Sequence, residues 1–81
     1  MEKRVAVIGI IVEERKTAPL VNDLLHEYSD YILGRMGIPY QQKNVNIISV
    51  AVDAPMDVIN ALSGKLGRIE GVSAKIVCAS V

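Results

Sequence analysis

The sequence has no phenylalanine and no tryptophan, and it has one cysteine and one histidine. The lone cysteine, Cys78, excludes a disulfide within the chain. One thiol and one imidazole leave no Ser/His/Asp or Cys/His triad to assign, and no general base suited to neutral pH stands out. An excess of charge of either sign is also missing, because nine Lys+Arg balance nine Asp+Glu. No long-range field therefore steers the chain toward nucleic acid or an anionic membrane. The longest uncharged apolar run, Val5 to Val12, is too short to cross a bilayer. No small-residue cleavage site follows the charged start at Met1–Arg4, so no signal peptide is predicted. Together with the lone thiol, this predicts a reducing cytoplasm.

What is present is aliphatic. The 81 residues are 51% hydrophobic, mostly Val, Ile, Leu and Ala, which suit strand faces and helix stripes. A chain of this length is one domain, residues 1–81. Its core alone yields only a few kcal/mol, so domains of this size lean on a disulfide, a metal or a partner subunit. The disulfide is excluded, and the aliphatic composition points to the partner subunit.

Arg4–Val12 is a β-branched run that reads as a strand buried on both faces. Thr17 is positioned to cap a helix with Pro19 in its first turn, and Leu20, Val21, Leu24, Leu25, Tyr28 and Ile32 supply an apolar stripe. Residues 30–39, punctuated by Gly34, Gly37 and Pro39, read as an irregular edge strand. Gln41–Asn44 is a polar hairpin connector, and Val45–Val52 is a second strongly β run. Asp53 or Ala54 then caps a second helix with Pro55 near its start. Val58, Ile59, Leu62, Leu66 and Ile69 form its stripe, and Gly67 or Gly71 ends it before a last strand, Val72–Ala79.

The order β, α, β, β, α, β predicts an α+β ferredoxin-like fold, a four-stranded antiparallel sheet with two helices on one face. The first and third strands then lie in the centre. On the first, Val5, Val7 and Ile11 oppose Ala6, Ile8, Ile10 and Val12. On the third, Val45, Ile47 and Ala51 oppose Ile48, Val50 and Val52. Two helices cover one of these faces, and the other is too apolar for water. The expectation is a homo-oligomer, dimer or tetramer, formed through the sheet.

Several stretches together resemble a known family: His26-Glu27-Tyr28, Gly34-Arg35-Met36-Gly37-Ile38-Pro39-Tyr40, Val52-Asp53-Ala54-Pro55, and Ala61-Leu62-Ser63-Gly64-Lys65-Leu66-Gly67 followed by Gly71-Val72. They resemble the small family of iron-only hydrogenase system regulators, from about Arg4 to Lys75. Members are similar to ACT domains and to the C-terminal domain of the nickel-responsive repressor. The resemblance implies an ACT-like, ferredoxin-like fold, dimers or tetramers, and a regulatory role. The nickel-responsive relatives hold their metal with several histidines and a cysteine, and no His-x-His pair exists here, so that site does not carry over. No ribbon-helix-helix segment is present, which argues against direct DNA contact. ACT domains often bind amino acids near the loop after the first strand. Here that loop, Glu13-Glu14-Arg15-Lys16-Thr17, lacks the usual glycine.

Among individual residues, Arg35, Met36, Tyr40 and Asp53 are the candidates for a ligand or interface site. Flanking glycines would allow close backbone approach or a bulge. Arg35 would offer a fork of donors to a carboxylate, and Tyr40 an aromatic face with a polar tip. The plain alternative is a bulged edge strand whose arginine pairs with an acid, with Asp53, Asp57 and Asn60 serving as caps. His26, beside Asp23, Glu27 and Asp30, is a weak metal candidate, and a solvated helix-surface histidine is the plainer reading. Cys78, alternating with Ile76 and Ala74, is expected to be buried and inert. Gly64-Lys65 lacks the remainder of a phosphate loop and falls within a helix. The overall expectation is a non-enzymatic regulatory domain, without cofactor, that binds a small molecule or a protein. A small enzyme with an interface active site and a metal sensor are the alternatives.

Overall fold

The computed structural model describes residues 2–79. Strand β1 (Lys3–Val12) is followed by helix α1 (Ala18–Glu27), strands β2 (Ile32–Tyr40) and β3 (Val45–Pro55), helix α2 (Met56–Gly67) and strand β4 (Val72–Cys78). The sheet order is β2-β3-β1-β4, with every neighbouring pair antiparallel. The fold is thus α+β and ferredoxin-like, with the two most apolar strands in the centre as expected.

The period-2 alternation of β1 and β3 sets the core. Ala6, Ile8, Ile10 and Val12 pair across the sheet with Val52, Val50, Ile48 and Asn46. Helix α1 sets Val21 and Leu25 into this layer, and α2 sets Ile59, Leu62 and Leu66. Each fully buried side chain of this size contributes about 1.5–3 kcal/mol of transfer free energy. Leu20, expected in the α1 stripe, is 54% exposed, and Ile32 has already left the helix for β2. Ile32 is lost to the stripe because the helix stops at Tyr28, where a 3-10 turn over Ser29–Tyr31 takes over.

Three capping expectations change. β3 runs on to Pro55, so neither Asp53 nor Ala54 caps α2. Asp53 pairs with Val5, and Ala54, paired with Arg4, is a core residue. The second helix begins without a side-chain cap, although Asp57 Oδ1 accepts from the Val58 amide at 3.0 Å. Thr17 precedes α1 but does not cap it with its side chain. Its hydroxyl shares its proton between the carbonyl oxygens of Glu14 at 2.8 Å and Glu70 at 2.9 Å. That contact ties the β1–α1 loop to the α2–β4 turn, and the Glu13 amide reinforces it by donating to the Gly71 carbonyl at 2.7 Å. Thr17→Val keeps the shape but removes the buried donor, so a loss of about 1 kcal/mol is expected in urea unfolding.

Of the two glycines expected to end α2, Gly67 is its last residue. Gly71 instead turns the chain into β4, with φ +74.

Candidate functional site

The pleat splits the Arg35–Tyr40 stretch between the two faces of the sheet. Arg35, Gly37 and Pro39 pair with Val50, Ile48 and Asn46 and therefore share the helix side. Met36, Ile38 and Tyr40 pair with Ser49, Ile47 and Val45 and share the open side. Asp53 also lies on the open side, opposite Val5. The four candidates thus do not form one site. Met36, Tyr40 and Asp53 belong to one surface and Arg35 to another. A period-2 reading of the stretch separates them, because their positions in the strand alternate.

The open surface carries two largely apolar cross-strand rows. Ile38, Ile47 and Ile11 form a cross-strand row over β2, β3 and β1, with Ser73 at its end on β4. A second row runs through Gly34, Ala51, Val7 and Val77. Between them lie Met36, Ser49, Gly9 and Lys75. Val5, Val7, Ile11 and Ile47 are each 37–40% exposed, although they stand on the two central strands. Among the described strand residues, the charges on this face are Lys3 and Asp53 toward one end of β1 and β3, and Lys75 on the β4 edge. Tyr40 donates its hydroxyl proton to Gln42 Oε1 at 2.8 Å, so its polar tip has a local partner.

The opposite side of β2 borders a trough of about 230 Å³. It exists because β2 beyond Ile32 presents only Arg35, Gly37 and Pro39 on this side, none of them a large aliphatic side chain. Gly37 leaves the middle of that side empty, and a Cβ built there meets nothing within 4 Å. Buried Val12, Val21 and Ile48 stand on the apolar side of the trough, and Asn22, Arg35 and Asn46 supply its polar side chains. Arg35 Nη2 donates to Asn22 Oδ1 at 2.9 Å, a neutral acceptor where an acidic one was expected. The glycines of the stretch do not serve close approach, since a Cβ at Gly34 also meets nothing. The strand is irregular, with a register shift between Ile32 and Gly34.

The other candidates fall elsewhere. His26 is exposed in the last turn of α1, and among the described residues no three His, Cys, Asp or Glu side chains gather as metal ligands. Cys78 is exposed rather than buried. It ends an edge strand, where Met56 at the start of α2 meets it, Sγ to Sδ at 3.4 Å. Lys65 lies within α2 with its ammonium 5.2 Å from the centroid of the Tyr28 ring, a packing contact between the helices. Sequence reasoning missed Asn22 and Asn46. Asn46 is signalled only as a polar residue whose register partners, Val12 and Pro39, are apolar, and nothing in the sequence marks Asn22.

No helix among the described residues is long and apolar enough to cross a membrane. No curated protein matches the sequence. Among solved structures, the chain is similar to a protein described as uncharacterized, TM1266 from Thermotoga maritima. The identity is 42%, the TM-score 0.93, and the match covers 98% of this chain and 100% of the other. The fold is also shared with a formyltetrahydrofolate deformylase from Pseudomonas putida KT2440, at 12% identity and a TM-score of 0.67. That match covers 93% of this chain and 29% of the enzyme. Residues 4–76 match the TM1266-like family, described as "Iron-only hydrogenase system regulator, putative". The chain belongs to the TM1266-like family.

Proposed function

We propose that the chain is a self-associating, non-enzymatic regulatory domain of an iron-only hydrogenase system, and that its open sheet face is where two copies meet. The observation that carries the association is the exposure of valine and isoleucine on both central strands, whose opposite face the two helices cover. A contiguous apolar surface of this kind on a small domain marks an interface. A second copy is the occupant that fits best. Sheets stack about 10 Å apart with interdigitating aliphatic side chains, and a two-fold axis lets the same isoleucine rows pack on each other. Gly9, bare at the centre of the face, lets the opposing side chains come close.

The regulatory part of the reading rests on family membership and on the absence of an assembled set of acid, base and nucleophile among the residues of either surface. In this reading the protein acts in the cytoplasm by binding, with the second copy giving it two equivalent sites. The test is direct. Sedimentation of the purified chain is expected to give a dimer or tetramer whose melting temperature rises with protein concentration. A concentration-independent melting temperature would count against it.

A further inference from the structure

The trough between α1 and β2 has a chemistry that the open face lacks. We propose that it binds a small monocarboxylate with an apolar body, and that it selects against the corresponding amino acid. This rests on the reading of the chain as a binding regulator, but it does not depend on association through the sheet, because the trough opens on the helix side.

The electrostatics of the trough are lopsided. Among the described residues, its one charged side chain is Arg35, and no carboxylate borders it. The guanidinium is tethered through one nitrogen to the Asn22 amide, which fixes its position while leaving further N–H groups of the fork to donate. A planar carboxylate matches two parallel donors of such a fork. An ammonium group would find no anion, and Asn22 Oδ1 is already engaged by Arg35. The apolar side receives a short branched hydrocarbon. Val12 and Val21 are 1% exposed and Ile48 is 8% exposed, so they form a packed floor, and half-buried Ala18 and exposed Pro39 carry the apolar surface that a hydrocarbon reaches. The volume of about 230 Å³ holds roughly eight waters at about 30 Å³ each. A six-carbon acid is therefore an appropriate probe.

The experiment is an amide-detected NMR titration of the full chain with 4-methylpentanoate, run beside leucine, 3-methylbutylamine and inorganic phosphate. Leucine adds only the ammonium, the amine removes the carboxylate, and phosphate keeps negative charge without the hydrocarbon. Saturable shifts are expected at the Gly37 amide and at the side-chain amides of Asn22 and Asn46, for 4-methylpentanoate first. Arg35→Gln is expected to weaken binding about ten- to a hundredfold, the worth of hydrogen bonds to a charged group. Arg35→Lys, which keeps the charge and loses the fork, is expected to fall between. Gly37→Val fills the trough and is expected to abolish binding while the melting temperature holds, since the added methyl groups enter open space.

Equal binding of leucine or phosphate would overturn the proposal. So would shifts confined to other parts of the chain, an unchanged affinity in Arg35→Gln, or no saturable shift at all. Sedimentation of the same samples separates the two readings. An assembled protein that ignores the acid refutes the trough alone, and a monomer that binds it refutes the interface alone.

Discussion

Ile47→Glu is expected to convert the assembled protein into a folded monomer. Ile47 lies between Ile38 and Ile11 in the row that spans three strands, and it is 40% exposed in the single chain. In the monomer the glutamate reaches water and the helix-side core is untouched. In a stacked dimer it would be buried without a partner, and an uncompensated charge in an apolar contact costs several kcal/mol. A two-fold interface contains the substitution twice, which multiplies the penalty. The dissociation constant should therefore rise by more than about a hundredfold, at 1.4 kcal/mol per factor of ten. Size-exclusion chromatography with light scattering reads this outcome. Lys43→Gln, in the hairpin turn between β2 and β3, serves as the control and is expected to leave the mass unchanged.

Gly71→Ala is expected to destabilise the fold by about 2–3 kcal/mol, whereas Gly67→Ala should be neutral or stabilising by up to about 1 kcal/mol. Gly67 ends α2 and Gly71 precedes β4 only four residues later, so the contrast isolates the cause. Gly71 has φ +74, in the left-handed region that an L side chain rarely adopts. A Cβ there would sit 2.5 Å from Glu14 Cβ and 2.9 Å from the Glu14 amide nitrogen. The loop after β1 cannot retreat easily, since the Glu13 amide and the Thr17 hydroxyl bind it to the same turn. At Gly67 an added methyl enters open space at the end of a helix. For a domain with only a few kcal/mol in reserve, the first variant should lower the denaturation midpoint by a large fraction. Urea melts of the two variants, measured under identical conditions, check the pair.

The architecture was readable because its signals are redundant. The alternation on β1 and β3, the helical stripes ending on Ile59, Leu62 and Leu66, and the polar Gln41–Asn44 turn all imply the same topology. The boundary at Asp53 was not readable. An Asp followed by Ala-Pro has the composition of a helix start, but burial of Ala54 beneath the core keeps the strand going for two more residues. Tertiary packing outweighed local capping preference there. Thr17 is a similar case, because the Glu70 carbonyl it reaches is 53 residues distant in the chain. The exposure of Cys78 depends on where the sheet edge and the start of α2 fall, which the alternation of β4 does not encode.

The candidate site was half readable. Arg35, Met36 and Tyr40 are prominent in the sequence and near one another along the chain, but the pleat sends them to opposite faces. Arg35 was expected to meet an acid and instead meets Asn22, a helix residue whose role emerges only when α1 is laid beside β2. The open face followed directly from counting. Two helices cover one side of four strands, and the apolar residues of β1 and β3 alternate across both sides.

Sedimentation equilibrium of the unmodified chain over a wide concentration range tests the central claim most directly. The account predicts a mass at least twice that of the 8.8 kDa chain, falling toward the single-chain value only on dilution. A species of 8.8 kDa at every concentration would contradict it, because the valine and isoleucine rows of the open face would then stand in water with nothing to cover them.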